Sequence, residues 1–470
     1  MKNYILYIFL FTVLHSILFF NRLFALNVIL FIIPLLVFLV IILKQNKKIK
    51  NKWGLLFIIP IVLLSASFFI YDNETIKTFN ILFIPGLILM MYIYTIEPTY
   101  KIPEFIKNVM YLIFEPLNCV NKLYNLVGLE LTKLFKISDT DKKRIKSFLI
   151  VIPIVIIVIL LLSNADMIFG NMFHGFVDIF KNIKIDHILG RILRGFIFFT
   201  YLGAVINYII FNYKGEKIKE TKPFKVDNYT IKLLLTSLNV IYLLFDFIQI
   251  KSLMLHQVAK NINYAQYARS GFFELMAISF INLVIILVSK HTKEETKYSK
   301  VMSIVMVLLT LIIIISSAFR MHMYESAYGY TELRLLVYVS LITEIILLIP
   351  TIAYILNTKV NIFKHYMIIL VTVYTILALT PLDYIIANNN INRYYDKGKI
   401  DIEYLENYNC DNVPLLIELH NKTDDIKLKN DIADYLQTNE FCSVGDFREY
   451  NISRVKANEE IKKLINKVFT

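Results

Sequence analysis

The strongest constraint on this chain is a succession of long, uncharged apolar runs, each close to the ~20 residues an α-helix needs to cross the hydrocarbon of a bilayer. They lie at about 4 to 20, 23 to 43, 54 to 71, 76 to 96, 147 to 164, 192 to 212, 230 to 250, 270 to 289, 301 to 318, 332 to 356 and 366 to 387. A helix pairs its backbone polar groups internally, so runs of this kind specify an all-α polytopic transmembrane helix bundle of about 11 spans. Composition agrees: 57% of the 470 residues are hydrophobic and 19% charged, with mean hydropathy +0.58, too apolar for one or two soluble domains. The first run follows Lys2 as a signal peptide would, but no small-x-small cleavage site precedes the second, and both are read as spans.

The formal charge of +13 raises the possibility of a nucleic-acid partner, which the placement of the charges argues against. Basic residues collect in every alternate loop: 26 Lys and Arg fall on the side of the N-terminus and 7 on the other. Lys and Arg are retained in the cytoplasm, so the N-terminus is expected inside and the C-terminus outside. Residues 388–470 carry 12 basic and 15 acidic residues, net −3 against +16 for the rest of the chain. Four segments follow: residues 1–96 with four spans, a cytoplasmic amphipathic loop at 97–146, a seven-span core at 147–387, and a small helical extracytoplasmic domain at 388–470.

Within the long inner loop, Phe105, Ile106, Val109, Met110 and Ile113 share one helical face, and Leu117, Val120, Leu123, Tyr124, Val127 and Leu131 another. Two amphipathic helices are expected, lying along the membrane surface or docked under the bundle. In the tail, Asp401 and Asp411 read as N-caps, Pro414 as a first-turn residue, and Ile452 to Val468 as a final helix. About 80 residues make a marginal domain, which is expected to pack against the outer ends of the spans.

Chemistry-bearing residues cluster on the outer side. The segment from Arg320 to Arg334 joins two spans, and a helix through it sets Glu325, Tyr328 and Glu332 on one stripe and Thr331, Arg334 and Tyr338 on another. A second cluster holds Arg269 and Glu274, and Asp166 lies in Ser163-Asn164-Ala165-Asp166. Asp166, Arg269, Glu274, Arg320, Glu325, Tyr328 and Arg334 form the candidate outer ligand-binding set, with a structural ion-pair network as the plainer alternative. Asp246 and Asp383 fall near outer span ends, whereas Glu344 falls about 18 Å of helix beyond Glu332, near the midplane. A carboxylate there is either a proton- or cation-linked group or a protonated side chain bonded to Asn207, Asn239 or Asn282.

No H-E-x-x-H, C-x-x-C, G-x-S-x-G or Walker A pattern occurs, so no metal, cofactor or nucleotide-driven activity is expected. Cys119 is placed inside, while Cys410 and Cys442 share the outer tail, where either a disulfide or two buried thiols is open.

From about residue 147 onward the chain resembles the uncharacterised bacterial integral-membrane family known as domain of unknown function 4173, with its broader relative 4153. The resemblance rests on Ser163 to Phe169, Tyr267-Ala-Arg269-Ser-Gly271-Phe-Phe-Glu274, and Tyr324 to Arg334. It extends through Asn390-Ile-Asn392-Arg393-Tyr394, Asp401 to Leu405, and Asp446 to Arg454. It implies a multi-pass envelope protein of the bacterial plasma membrane without an assigned reaction, and Glu332 stands where that family leads one to expect a basic or neutral residue. The first expectation is a non-enzymatic scaffold or sensor with an outward-facing polar site for lipid or partner, membrane lipids and an envelope protein at the C-terminal domain being the partners. A transporter or lipid flippase, coupled through Glu344 and Asp246 with Pro350 and Pro381 as helix breaks, is the alternative. A membrane-embedded lipid-linked transferase is the third, with Asp166 as base and Arg269, Arg320 or Arg334 on phosphate.

Overall fold

A computed structural model describes residues 4–96, 102–135, 185–212, 227–250, 272–290, 296–406, 410–437 and 442–468, which contain helices and no strands. In chain order the α-helices are α1 (Tyr4–Phe19), α2 (Leu26–Gln45), α3 (Ile58–Ile70), α4 (Glu74–Ile96), α5 (Ile102–Phe114) and α6 (Val120–Phe135). Next come α7 (Ile185–Asn207), α8 (Asn228–Gln249), α9 (Phe272–Ser289), α10 (Lys297–Tyr328), α11 (Glu332–Leu356), α12 (Ile362–Ala378) and α13 (Leu382–Lys397). The tail adds α14 (Ile402–Glu406), α15 (Val413–Lys422), α16 (Ile426–Gln437) and α17 (Ile452–Val468).

Ten of the eleven apolar runs lie on these helices, and the run at 147–164 falls outside the described residues. Among the described residues seven helices are long and apolar enough to cross a membrane, or eight if α12 and α13, bent by 61°, count as one span. The bend follows from Pro381, which has no N–H to continue a helix from α12 and instead precedes the first turn of α13. Helices α1 and α9 are apolar but shorter.

The chain forms two compact units. One holds Met1–Leu55, Leu89–Pro98 and Phe105–Glu216, the other Leu56–Ile88, Thr99–Glu104 and Lys217–Thr470. In the first, α1 pairs with α7: the His15 ring stacks on Phe198 with centroids 4.2 Å apart, and Arg191 Nε donates to Ser16 Oγ at 3.0 Å. The two helices expected in the long loop are α5 and α6, joined by a 3-10 turn. They are buried in this unit at Leu112, Cys119 and Leu123, whereas Ile106, Met110 and Leu117 of the expected apolar faces are exposed. Leu123 reaches Gly203 of α7 so closely that a Cβ there would lie 2.6 Å from its methyl group and push the leucine aside.

In the second unit α8 to α11 enclose an apolar core that includes Leu235, Leu283, Met306, Ile314, Leu341 and Leu348. At 32 residues and 1.5 Å per residue, α10 is about 48 Å long, well beyond the ~30 Å of a hydrocarbon core. The tail has its own core of Leu405, Val413, Leu416, Leu419, Ile432 and Ala457, and Cys410 and Cys442 are joined by a disulfide within it. That core also takes in Ile386, Ala387 and Ile391, so α13 runs through the boundary placed at 387/388 and belongs to both regions.

Candidate functional site

The densest polar assembly among the described residues surrounds the short connection between α3 and α4, inside the second unit. The carbonyls at the end of α3 and the Asp72 N–H find their partners in the tail. Asn451 Nδ2 donates to the carbonyls of Phe68 at 3.0 Å and Tyr71 at 2.8 Å, which end α3. Ser453 Oγ donates to Ile70 O at 3.2 Å, and the Asp72 N–H donates to Asp411 Oδ2 at 2.9 Å. Asp411 was expected to cap α15, but Asn412 holds that place and the Asp411 carboxylate turns to Asp72.

Charge is then concentrated on Asp72, which is 0% exposed. Its Oδ1 accepts from Arg454 Nε at 2.9 Å and from Lys77 Nζ. The neighbouring Asn73 bridges two further carboxylates, donating to Asp383 Oδ1 at 2.9 Å and Glu332 Oε1 at 3.4 Å. Thr75 Oγ1 donates to Glu332 Oε2 at 3.0 Å, and the Glu332 N–H donates to the Tyr404 hydroxyl at 2.9 Å. Four carboxylates from α4's approach, α11, α13 and the tail thus meet two cations. Three buried oxygens, Asp72 Oδ2, Asp383 Oδ2 and Asp411 Oδ1, make no hydrogen bond to protein.

Burial disfavours the charged form of each group it encloses. It pushes Asp411 above the ordinary aspartate range and the Tyr404 hydroxyl up to about 12. The crevice beside Asn73 and Lys77, closed by Ser67, Tyr71, Ile76, Ala378 and Thr380, has a volume of about 10 Å³, roughly one water molecule. A site this closed holds elements together and leaves no room for an organic substrate.

The turn between α10 and α11 is fixed next to it. Gly329, at φ +85°, occupies the left-handed region, and a Cβ there would lie 2.6 Å from Asn390 Oδ1. Asn390 uses both ends of its amide on Tyr330, accepting from its N–H at 2.8 Å and donating to its carbonyl at 2.9 Å. Arg393 Nη2 donates to Ala327 O at 2.6 Å. Burial, together with the neighbouring Glu325 carboxylate, pushes the Tyr330 hydroxyl up to about 12.

A second polar series runs between the apolar layers of α8 to α11. Asn239 Nδ2 donates to Met302 O at 2.9 Å, the Tyr242 hydroxyl to Asn282 Oδ1 at 2.8 Å, and Asn282 Nδ2 to Thr310 Oγ1 at 3.0 Å. Ser279 Oγ donates to Glu344 Oε2. The partner of Glu344 is therefore a serine on α9, while Asn239 and Asn282 are occupied elsewhere, because α9 presents Ser279 one turn before Asn282.

The residues singled out from sequence separate into several places. Arg320 is buried, with Nη2 donating to Gln249 Oε1 at 3.1 Å, one turn after Asp246 on α8. Asp246 is buried, and neither of its carboxylate oxygens has a hydrogen-bond partner. Glu325 is buried near Tyr330 and Tyr338, whereas Tyr328 and Glu274 are exposed. Arg334 donates to Gly329 O and lies 4.3 Å over the Tyr324 ring. Asp383 joins the assembly at Asp72, while Asp166 and Arg269 lie outside the described residues. Asp72, Asn73, Lys77 and Asn451 were missed as site residues. The available signal was Asp72 in a connection devoid of Lys and Arg, followed by Lys77 in the first turn of an apolar helix. Among the described residues no three His, Cys, Asp or Glu are arranged to hold a metal ion.

No curated protein and no solved structure matches the chain. Residues 58–419, which include Asp72, Glu332, Asp383 and Asp411, match the family described as Domain of unknown function (DUF4153). With more than three quarters of its length so matched, the chain belongs to the DUF4153 family.

Proposed function

We propose that this protein is a non-enzymatic scaffold or sensor of the bacterial plasma membrane. Its outer helical tail is latched to the membrane bundle through the carboxylate assembly at Asp72. The reading includes eleven spans, an inside N-terminus and an outside tail, supported by the 26 to 7 distribution of basic residues between alternate loops. It also places the chain in the narrower 4173 branch, supported by the tail motifs around Asn390, Asp401 and Arg454. The observation that carries the sensor reading is the buried excess of carboxylates over cations at the latch. Such a site changes strength with protonation or with a partner that competes for Arg454.

The sign follows from Asp411. Its carboxyl is raised above its unfolded value, so its contribution to the latch is complete below the ordinary aspartate pKa and is lost as pH rises through the folded value. Hydrogen exchange on the full chain in nanodiscs tests this. Protection of residues 410–420 and 451–456 is expected to fall as pH is raised upward from the ordinary aspartate pKa of about 4. Protection unchanged by that rise would sink the sensor reading and leave a static scaffold.

One observation favours a second reading, proton-linked transport: Glu344, buried midway along α11 and held by Ser279. Proton uptake into liposomes that survives Glu344→Gln would remove it.

A further inference from the structure

Among the described residues of the tail beyond α13, three large apolar side chains are exposed, Ile426, Phe447 and Tyr450, and the last two share the turn at Asp446–Tyr450. That turn inverts the pattern of a water-facing one. Phe447 is 69% and Tyr450 40% exposed, whereas the charged side chains around them, Asp446, Arg448 and Glu449, are half-buried. Arg448 is answered by Asp446, whose Oδ1 accepts from its Nε at 2.9 Å. The backbone is answered as well: the Arg448 N–H donates to Asp446 Oδ1 at 2.9 Å, the Glu449 N–H to Asp446 O at 3.0 Å and the Tyr450 N–H to Phe447 O at 3.2 Å. Paired backbone groups, a matched charge and outward aromatic rings suit the boundary layer of a bilayer better than open water.

The next residue fixes where the turn stands. Asn451 is fully buried on the carbonyls that end α3, the last part of a stretch long and apolar enough to cross a membrane. Tyr450 is one Cα step, about 3.8 Å, from that anchored residue, and Phe447 is at most about 14 Å of extended chain away. Helix α3 leaves Ile59 and Leu63 exposed, so it stands at the rim of its unit, where a spanning helix has lipid for a neighbour. Tyr384, next to Asp383 of the same latch, is 44% exposed and marks the same level on α13.

We infer that the turn at Asp446–Tyr450 is a membrane anchor of the tail, with Phe447 and Tyr450 seated in the interfacial layer of the bilayer that α3 crosses. The anchor rests on α3 spanning the membrane and on the bonds of Asn451, and it is independent of any pH response at the latch.

Tryptophan fluorescence of the full chain in phosphatidylcholine nanodiscs tests it. Trp53 is the one tryptophan of the sequence, so Trp53→Phe gives a silent background, to which Phe447→Trp adds a reporter by exchanging one exposed ring for another. The expected result is a blue-shifted emission that is shielded from aqueous iodide and quenched in nanodiscs of brominated phosphatidylcholine. Leu63→Trp in the same background reports on the span itself. Quenching by brominated lipid at 63 but not at 447, with iodide reaching 447, would overturn the anchor and leave the spanning helix standing. Shielding of 447 from iodide without quenching by brominated lipid overturns it too, since a protein surface then covers the turn. No quenching by brominated lipid at either position overturns the anchor together with the span on which it rests. Where Phe447→Trp does not fold, Tyr450→Trp supplies the reporter, with the same outcomes.

Discussion

Two buried polar regions of the same unit are built on opposite rules. Between α8 and α11, amides and hydroxyls meet in small neutral sets, Asn239 on a carbonyl, Tyr242 on Asn282, Asn282 on Thr310, and the carboxyl of Glu344 takes a single serine. Around Asp72, full charges from distant parts of the chain are gathered, and carboxylates outnumber cations. Between α8 and α11 most polar groups are answered by a near neighbour, Asp246 and Asn239 Oδ1 being the exceptions, which make no hydrogen bond. At the end of the bundle, buried charge is retained although burial is costly, and what it gains is the joining of α3, α4, α11, α13 and the tail in one register.

The contrast is sharpest in the response to losing one partner. Asp72→Ala strands Lys77 and Arg454 together, and a loss of about 3–5 kcal/mol in unfolding free energy is expected, as for other broken buried pairs. Ser279→Ala removes one hydroxyl beside Glu344 and should lower it by about 1–3 kcal/mol. Equilibrium unfolding of both variants in the same micelle compares them directly, and equal losses would erase the distinction. Gly329→Ala comes next. The left-handed backbone and the contact with Asn390 predict a loss of about 1–2 kcal/mol, with the tail loosened before the bundle in hydrogen exchange. The smallest effect is expected from Asp411→Asn. The amide keeps an acceptor for the Asp72 N–H but carries no charge, so stability at low pH should change little. The decline toward high pH should flatten, and an undiminished slope would assign the titration to another group.

How much of this was legible in the sequence depends on range. Hydropathy acts over one helix, so Leu26–Gln45, Glu74–Ile96 and Glu332–Leu356 could be read directly, as could Ile452–Val468 from its amphipathic spacing. The latch could not. Asp72 meets Arg454 across 382 positions and Asn73 meets Asp383 across 310, and periodicity carries no record of such pairs. Reading Asp411 as a cap was sound local chemistry overruled by a distant backbone N–H. The segment Asn390 to Arg393 stood out as a motif of the tail, but its task, closing the turn at Gly329, appears only when α13 is set beside that turn.

The continuity of α13 has a consequence for inheritance. A tail whose core borrows Ile386, Ala387 and Ile391 from the helix that leaves the bundle cannot be exchanged between proteins as a cassette cut at its apparent start. A graft at 388 would sever one helix, open the hydrophobic core of the tail and discard the residue that seals Gly329. Recombination that preserves such a protein must take its breakpoint elsewhere, and the tail and the last membrane helices are expected to descend together.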